Sequence, residues 1–263
     1  MLGKLFRQEL RTQGRVVTGM YGVLAAATIL ISVLFYLSKA FQVRALNAVF
    51  MIGCVFYGIT LIVSAVTIFI YLCFHFYKSM YSEQGYLTHT LPVKTTHILN
   101  VKVAVSFGYL FLTAVLCILS FLIIGIVMDG ISAADIVNVF YNSVNDLSEA
   151  MNLPVFGVLL FFCGAALLGC LNSLLLFFAG SSIGQLFQRS KGACGIAAGI
   201  GLYYCTQILS IVAVLLGYLL YEMVPFMRNT GWMMSGALLL TLIWTAIYYM
   251  ICRVIVTRHL NLE

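Results

Sequence analysis

Residues 77–100 read YKSMYSEQGYLTHTLPVKTTHILN and separate two hydrophobic blocks. The segment mixes aromatic and aliphatic residues with Ser, Glu, Gln, Thr and His, whereas a flexible linker would be rich in Gly, Ser and charge. Pro92 ends any helix that runs through Leu91, because the residue before a proline is pushed out of the helical region. Thr95 or Thr96 can then cap a new helix. We therefore expect a short helix on the membrane surface, a proline break and a new membrane helix.

The composition places the chain among the membrane proteins. It has 263 residues, of which 63% are hydrophobic and 8% are charged, and its mean hydropathy is +1.07. Soluble domains carry about 25% charged residues, so this chain cannot cover itself with water-compatible side chains. It has three prolines and no Ser/Pro-rich or charge-rich segment that would indicate a linker. We therefore expect residues 1–263 to form a single transmembrane domain.

Six apolar blocks each reach the ~20 residues that a helix needs to cross the hydrocarbon of a bilayer. They lie at about 17–37, 49–76, 101–128, 155–180, 195–221 and 232–252. Residues 1–16 place apolar and basic side chains on different helical stripes, which is typical of an interfacial helix on lipid. A helix docked on another subunit is the alternative for this segment. The predicted fold class is an all-α membrane protein with six transmembrane helices, an N-terminal interfacial helix and a short cytosolic helix between spans two and three.

Positive charge orients the predicted spans. If the N-terminus is cytosolic, the inner segments hold eleven of the 14 Lys and Arg residues and the outer loops hold Lys39, Arg44 and Arg228. An excess of Lys and Arg on the inner side is the usual signal of orientation, so we expect both termini to be cytosolic. The largest outer loop, residues 129–153, has apolar residues at helical spacing, and we expect a helix that caps the outer end of the bundle.

The sequence has no motif for catalysis, a metal or a cofactor. His75, His89 and His97 lack the spacing of zinc ligands, and the eight cysteines form no CxxC pair. The nucleotide-binding motif GxxxxGK[ST] is missing. No ionisable residue lies near the middle of an apolar block, where ion-coupled transporters and intramembrane proteases need one. We therefore expect no enzyme activity, and a transporter built this way must be driven by a separate subunit.

Small and polar residues within the blocks predict where helices contact each other. Gly195 and Gly199 form a GxxxG pair, which can pack within the chain or form a dimer seam. Asn172 and Gln207 are the most polar side chains at depth, and they can form interhelical hydrogen bonds or line a cavity.

Two segments carry a resemblance to a known family. The run EQGYLTHTLPVKTTHIL, residues 83–99, resembles the motif acidic-x-G-Y-L-x-x-T-L-P of permease subunits in type-two ATP-binding-cassette exporters, particularly those of Gram-positive anaerobes. The segment GQLFQRSKG, residues 184–192, resembles the second inner loop of the same proteins. The resemblance implies a bacterial plasma membrane, a second permease subunit that is identical or different, and separate cytosolic ATPase subunits.

The resemblance also implies which residues are functional. A coupling helix between spans two and three would contact the ATPase through Glu83, Gly85, Tyr86, Leu87, Thr90, Leu91 and Pro92. The second inner loop would contribute Gln185, Arg189 and Lys191. Spans two and five build the transport cavity in that family, which implies a lining by Phe56, Tyr57, Phe69, Tyr203, Tyr204 and Gln207.

What such a protein would do follows from the family mechanism. ATP binding draws the ATPases together, pulls the coupling helices inward and switches the cavity from inside-facing to outside-facing. Apolar and aromatic walls suit a hydrophobic or amphipathic cargo, such as a drug or an antimicrobial peptide, better than a polysaccharide. A membrane subunit that holds an ATPase for sensing or resistance without transporting anything needs the same coupling helix, so this alternative stays open.

Overall fold

The computed structural model describes residues 2–41, 43–82, 85, 94–129, 133–187, 191–223 and 230–258. Seven helices lie in these ranges: α1 (Leu2–Phe41), α2 (Arg44–Tyr81), α3 (Thr95–Asp129), α4 (Ala133–Met151), α5 (Val155–Gly184), α6 (Lys191–Met223) and α7 (Thr230–Arg258). All of them except α4 are long and apolar enough to cross a membrane. The predicted class is confirmed: the chain is an all-α, multi-pass membrane protein with six candidate spanning helices.

The first span differs from its prediction at the N-terminal end. The sequence predicts a separate interfacial helix at residues 1–16, but α1 continues without a break for 40 residues from Leu2 to Phe41. The side chains of Glu9, Gln13 and Val17 lie on one stripe of α1 and are buried within the protein. The first turns of α1 are therefore packed against neighbouring helices, which removes the reason for a break near residue 16.

The six long helices form two units of three. Helix α1 packs against α2 and α3, and α5 packs against α6 and α7, while α2 and α3 contact α5 and α3 contacts α7 between the units. The rings of Phe76 on α2 and Phe178 on α5 stack across this junction, with their centroids 3.8 Å apart. Around them lies a buried cluster that draws on α2, α3, α5 and α7. This cluster is the main core of the molecule.

The main core lies at one end of the bundle. Met80, Ile98, Ala179 and Cys252 belong to it, and they come from the end of α2, the start of α3, the end of α5 and the end of α7. Both predicted inner connections, between α2 and α3 and between α5 and α6, therefore leave the bundle from the same end. We call this end, where α2 and α5 stop and α3 and α6 begin, the connection end.

Helix α4 covers the opposite end of the bundle, and its presence confirms the helix predicted for residues 129–153. Val144 and Met151 of α4 are buried against Val158 near the start of α5, and Met234 of α7 packs on the same cluster. The turn into α5 passes through Asn152, whose φ of 52° lies in the left-handed region that asparagine tolerates better than most residues.

Glycine permits the closest helix contact in the second unit. A Cβ atom placed on Gly180 of α5 would lie 2.5 Å from the Cα of Gly199 on α6, so the two backbones almost touch. The carbonyl oxygen of Gly195 lies 3.2 Å from the same position. The GxxxG pair is therefore used for packing within the chain, as small residues are in many membrane helix pairs.

We predict that Gly180→Ala lowers stability by about 1–3 kcal/mol, because the added methyl group must push α5 and α6 apart. The matched control is Gly201→Ala, since a Cβ atom at Gly201 meets nothing within 4 Å. Thermal unfolding in detergent, followed by circular dichroism, measures both variants. Equal melting temperatures for the two would contradict the close contact.

We predict that cysteines introduced at Ser143 and at Leu186 are labelled from opposite sides of the membrane. Ser143 is exposed on α4, and Leu186 is 52% exposed just after α5 at the connection end. The excess of Lys and Arg at the connection end predicts that Leu186→Cys reacts only after the membrane is opened. The measurement uses an impermeant maleimide on intact cells that express a variant without its eight native cysteines. Labelling of Leu186→Cys in intact cells would reverse the predicted orientation.

Candidate functional site

A buried ionic cluster joins α1, α2 and α3 near the connection end. The ammonium group of Lys102 on α3 contacts carboxylate oxygen Oε1 of Glu9 on α1 and donates a hydrogen bond to Oγ of Ser79 on α2, at 2.8 Å. The second Glu9 oxygen, Oε2, lies 3.2 Å from Nε2 of His75 on α2. Lys102 is 2% exposed. One carboxylate thus has partners on both neighbouring helices.

Polar side chains extend the cluster by one turn. Gln13 donates a hydrogen bond from Nε2 to Glu9 Oε2 at 3.5 Å, and Ser106 donates one to Gln13 Oε1 at 3.4 Å. The hydroxyl group of Tyr109 on α3 donates to the backbone carbonyl of Leu10 at 2.8 Å. The polar atoms of this buried region therefore bond to one another, as burial requires.

Helical spacing explains why these residues meet. Glu9 and Gln13 are four residues apart on α1, as are His75 and Ser79 on α2, and residues four apart lie one above the other on the same helix face. Each helix thus presents one polar face of a single turn to the other two.

The same side of α1 continues to bond to α3 along the membrane. In the described part of the chain, four contacts between side chains of the two helices have partners 92 or 93 positions apart: Glu9–Lys102, Gln13–Ser106, Tyr21–Thr113 and Thr28–Ser120. A constant offset means that α1 and α3 run parallel and in a fixed register. Interhelical hydrogen bonds of this kind contribute about 0.6 kcal/mol each on average in a membrane.

Lys102 on α3 also lies beside Ser79 on α2, at the connection end of the bundle. A lysine ammonium group has three hydrogen-bond donors and no acceptor, and this one donates to both Glu9 and Ser79. The chemistry that the cluster offers is electrostatic attachment of one helix to two others.

The connection between α2 and α3 is firmly held where it leaves the bundle. Met80 at the end of α2 and Leu99 in the first turn of α3 are fully buried in the main core. The hydroxyl groups of Tyr81 and Ser182 share a hydrogen bond of 2.7 Å, which joins the end of α2 to the end of α5. Gly85 is buried, and its N–H group donates to the carbonyl of Ser82 at 2.6 Å.

Most residues predicted for the coupling helix lie outside the described residues, and Gly85 is the exception. Those outside are Glu83, Tyr86, Leu87, Thr90, Leu91 and Pro92. In the second predicted loop, Gln185 is the C-cap residue of α5, and its N–H group donates to the carbonyl of Ser182 at 3.1 Å. Lys191 is the first residue of α6, while Arg189 lies outside the described residues. The assignment of these residues to an ATPase contact stays a prediction.

The residues predicted to line a cavity take two different positions. Tyr57 and Phe69 of α2 face other helices: Tyr57 shares a hydrogen bond with Ser120, and the Phe69 ring packs edge-on against Phe177. The others are exposed on the outer faces of α2 and α6, namely Phe56, Tyr203, Tyr204 and Gln207. A cavity between two subunits would need such exposed faces, and their role in one stays a prediction.

The polar residues predicted at depth are also placed. Thr245 of α7 donates a hydrogen bond to Oδ1 of Asn172 on α5 at 3.2 Å, so Asn172 joins two helices. His97 is exposed in the first turn of α3. His75, which lacks the spacing of a zinc ligand in the sequence, belongs to the ionic cluster.

The ionic cluster was not predicted from the sequence, although the sequence contains a signal for it. Glu9 is the only acidic residue before Glu83, and it lies in a segment that is otherwise basic. Glu9 and Gln13 are four residues apart, as are His75 and Ser79, and this spacing indicates one polar face on each of the two helices. The pairing itself joins residues about 93 positions apart, which no local pattern reveals.

Comparison of the chain with protein-family models, with curated proteins and with solved structures finds no match.

We predict that Lys102→Met lowers the free energy of unfolding by about 3–5 kcal/mol, because it leaves the Glu9 carboxylate buried without its main partner. The control is Lys78→Met, which removes an exposed lysine from the last turn of α2. Combining Lys102→Met with Glu9→Leu should recover much of the loss, since an apolar pair replaces an ionic one at low cost. Unfolding by denaturant in detergent measures the series. A loss as small as that of Lys78→Met would contradict the buried pair.

Proposed function

We propose that this chain is the membrane-spanning permease subunit of an ATP-binding-cassette exporter in a bacterial plasma membrane. Its two termini lie in the cytosol, it pairs with a second permease subunit, and a separate cytosolic ATPase supplies the energy. The cargo is a hydrophobic or amphipathic molecule such as a drug or an antimicrobial peptide. One observation carries the proposal: the described residues on both sides of the segment with the resemblance, 83–92, are packed in or against the main core.

Packing at the base of this segment supports the proposal. The chain enters the segment from Met80 and Tyr81 and leaves it toward Ile98 and Leu99, which are packed in or against the main core. That core contains residues of both three-helix units. A force applied to residues 83–92 would therefore act on a close-packed base, and close-packed interiors transmit displacement instead of absorbing it. Alternating access driven from one end of a bundle needs such a base.

The position of the chain ends also supports it. Glu9 near the start of α1 contacts α2 and α3 at the connection end, and Val256 near the end of α7 is buried in the main core. Both ends thus lie beside the two connections, on the side where the excess of Lys and Arg predicts the cytosol. A soluble ATPase would meet this whole surface at once.

The exposed faces of α2 and α6 support an apolar cargo. Phe56 is 65% exposed and Tyr204 is 63% exposed, and both lie within apolar helices that span the membrane. If two subunits place these faces toward each other, the space between them has aromatic walls. Ligand sites of this kind take apolar molecules with a few polar groups.

The proposal is tested by capture of the ATPase. We predict that the tagged chain, purified from its native host, brings with it a protein that contains the P-loop motif and traps vanadate with ATP. Leu91→Asp and Glu83→Arg should abolish this capture, because each alters the segment expected to contact the ATPase. Val139→Asp is the control, since Val139 is exposed on α4 at the opposite end of the bundle. Membrane insertion should be equal in all variants. Undiminished capture by both Leu91→Asp and Glu83→Arg would refute the ATPase contact.

A further inference from the structure

The ionic cluster lies close to the end of α2 and the start of α3, the two helix ends that flank the segment at 83–92. Ser79 is three residues before Ser82, a distance of about 5 Å along the axis of α2 at 1.5 Å per residue. Lys102 is two turns into α3, counted from Thr95. The cluster therefore connects α1 to the two helices that hold the segment, within one or two turns of the point where they leave the bundle.

The packing of α1 determines which movements the ionic cluster can transmit to it. In the part of the chain that the structure describes, α1 packs mainly on α2 and α3. Its exposed basic residues, Lys4, Arg7 and Arg11, lie on the same turns as Glu9. A movement of the end of α2 and the start of α3 can be transmitted to the start of α1 through the cluster, because Glu9 contacts both of these helices.

The buried charges of Glu9 and Lys102 oppose separation of α1 from α3. Lys102 is 2% exposed with α1 in place, and a movement of α1 away from α3 would take away its counter-ion. Leaving one member of a buried ion pair unpaired is strongly unfavourable, whereas moving the pair as a unit changes nothing in its surroundings. The start of α1, the end of α2 and the start of α3 are therefore expected to move together.

We propose that Glu9 and Lys102 are positioning residues that couple the movement of the segment at 83–92 to α1, so that the first three-helix unit swings as one body. This inference rests on the proposed function, because it assigns the transmission of force from the ATPase to α1. The exposed basic side of the α1 start moves with the unit. The pair acts through the helices it joins and not through contact with cargo.

The first measurement needs no ATPase. Spin labels are introduced as genetically encoded amino acids at Arg11 and His97, which are exposed on α1 and α3, and their distance distribution is recorded in lipid nanodiscs. The wild-type chain, Lys78→Met and the charge-retaining Lys102→Arg should give a narrow distribution. Lys102→Met should give a broad one. Glu9→Gln, which keeps the shape of the side chain, replaces Lys102→Met if that variant does not fold. A distance distribution as narrow as that of the wild type, in whichever of these two variants is measured, would overturn the proposal.

The second measurement separates coupling from simple stabilisation. Labels at Tyr36 and Phe156, both exposed near the end opposite the connections, report on movement between the two units. With the captured ATPase, ATP and vanadate should change their distance in the wild type. In Lys102→Met the ATPase should still be captured and hydrolyse ATP, but the change in distance should be lost. A full change in Lys102→Met would overturn the proposal. If the wild type captures no ATPase, the proposed function fails instead, and the first measurement alone decides whether the pair holds α1 to α3.

Discussion

The buried contact between Glu9 and Lys102 fixes how the first half of the molecule is assembled. Apolar side chains do not drive helices together inside a bilayer, because lipid is as apolar as they are, so polar contacts and close packing select the partners. An ion pair is the contact that tolerates a shift in register least. Once it is in place, the offset of 92 or 93 residues between α1 and α3 is set, and the contacts of Tyr21 and Thr28 farther along the helices follow from it.

The second half of the molecule is assembled by a different means. There α5 and α6 approach through Gly180 and Gly199, and α5 and α7 share a hydrogen bond between Asn172 and Thr245. Close backbone packing gives many weak dispersion contacts in place of one strong electrostatic contact. The two units then meet through stacked aromatic rings and aliphatic side chains in the main core. Each unit is thus specified internally before the two need to dock.

Local patterns in the sequence predict the helices well and their partners poorly. Apolar block length identifies all six spans, and helical spacing identifies α4, because both depend only on neighbouring residues. The start of α1 is continuous with the first span, and its location at the membrane surface stays a prediction: its charges match that pattern, but Glu9 and Gln13 face other helices. A count of positive charges treats Lys102 as a surface residue, and its burial depends on a helix about 93 residues away. The partners of the exposed outer faces of α2 and α6 are likewise not predicted by local patterns, because these faces contact no other part of the described chain.

The two ends of the bundle are packed by different groups of residues. At the connection end, the main core and the ionic cluster join α1, α2, α3, α5 and α7, while α6 is held to α5 by glycine contacts and packs on the core through Leu202. At the other end, α4 rests on a small cluster around Val144, Met151 and Val158. At the same end, α1, α2 and α3 meet in a further buried cluster around Ile31, Phe50 and Ile124. Under the proposed function, an ATPase that acts on the connections would displace the helix ends at the connection end, and the packed helices would carry this displacement to the far end.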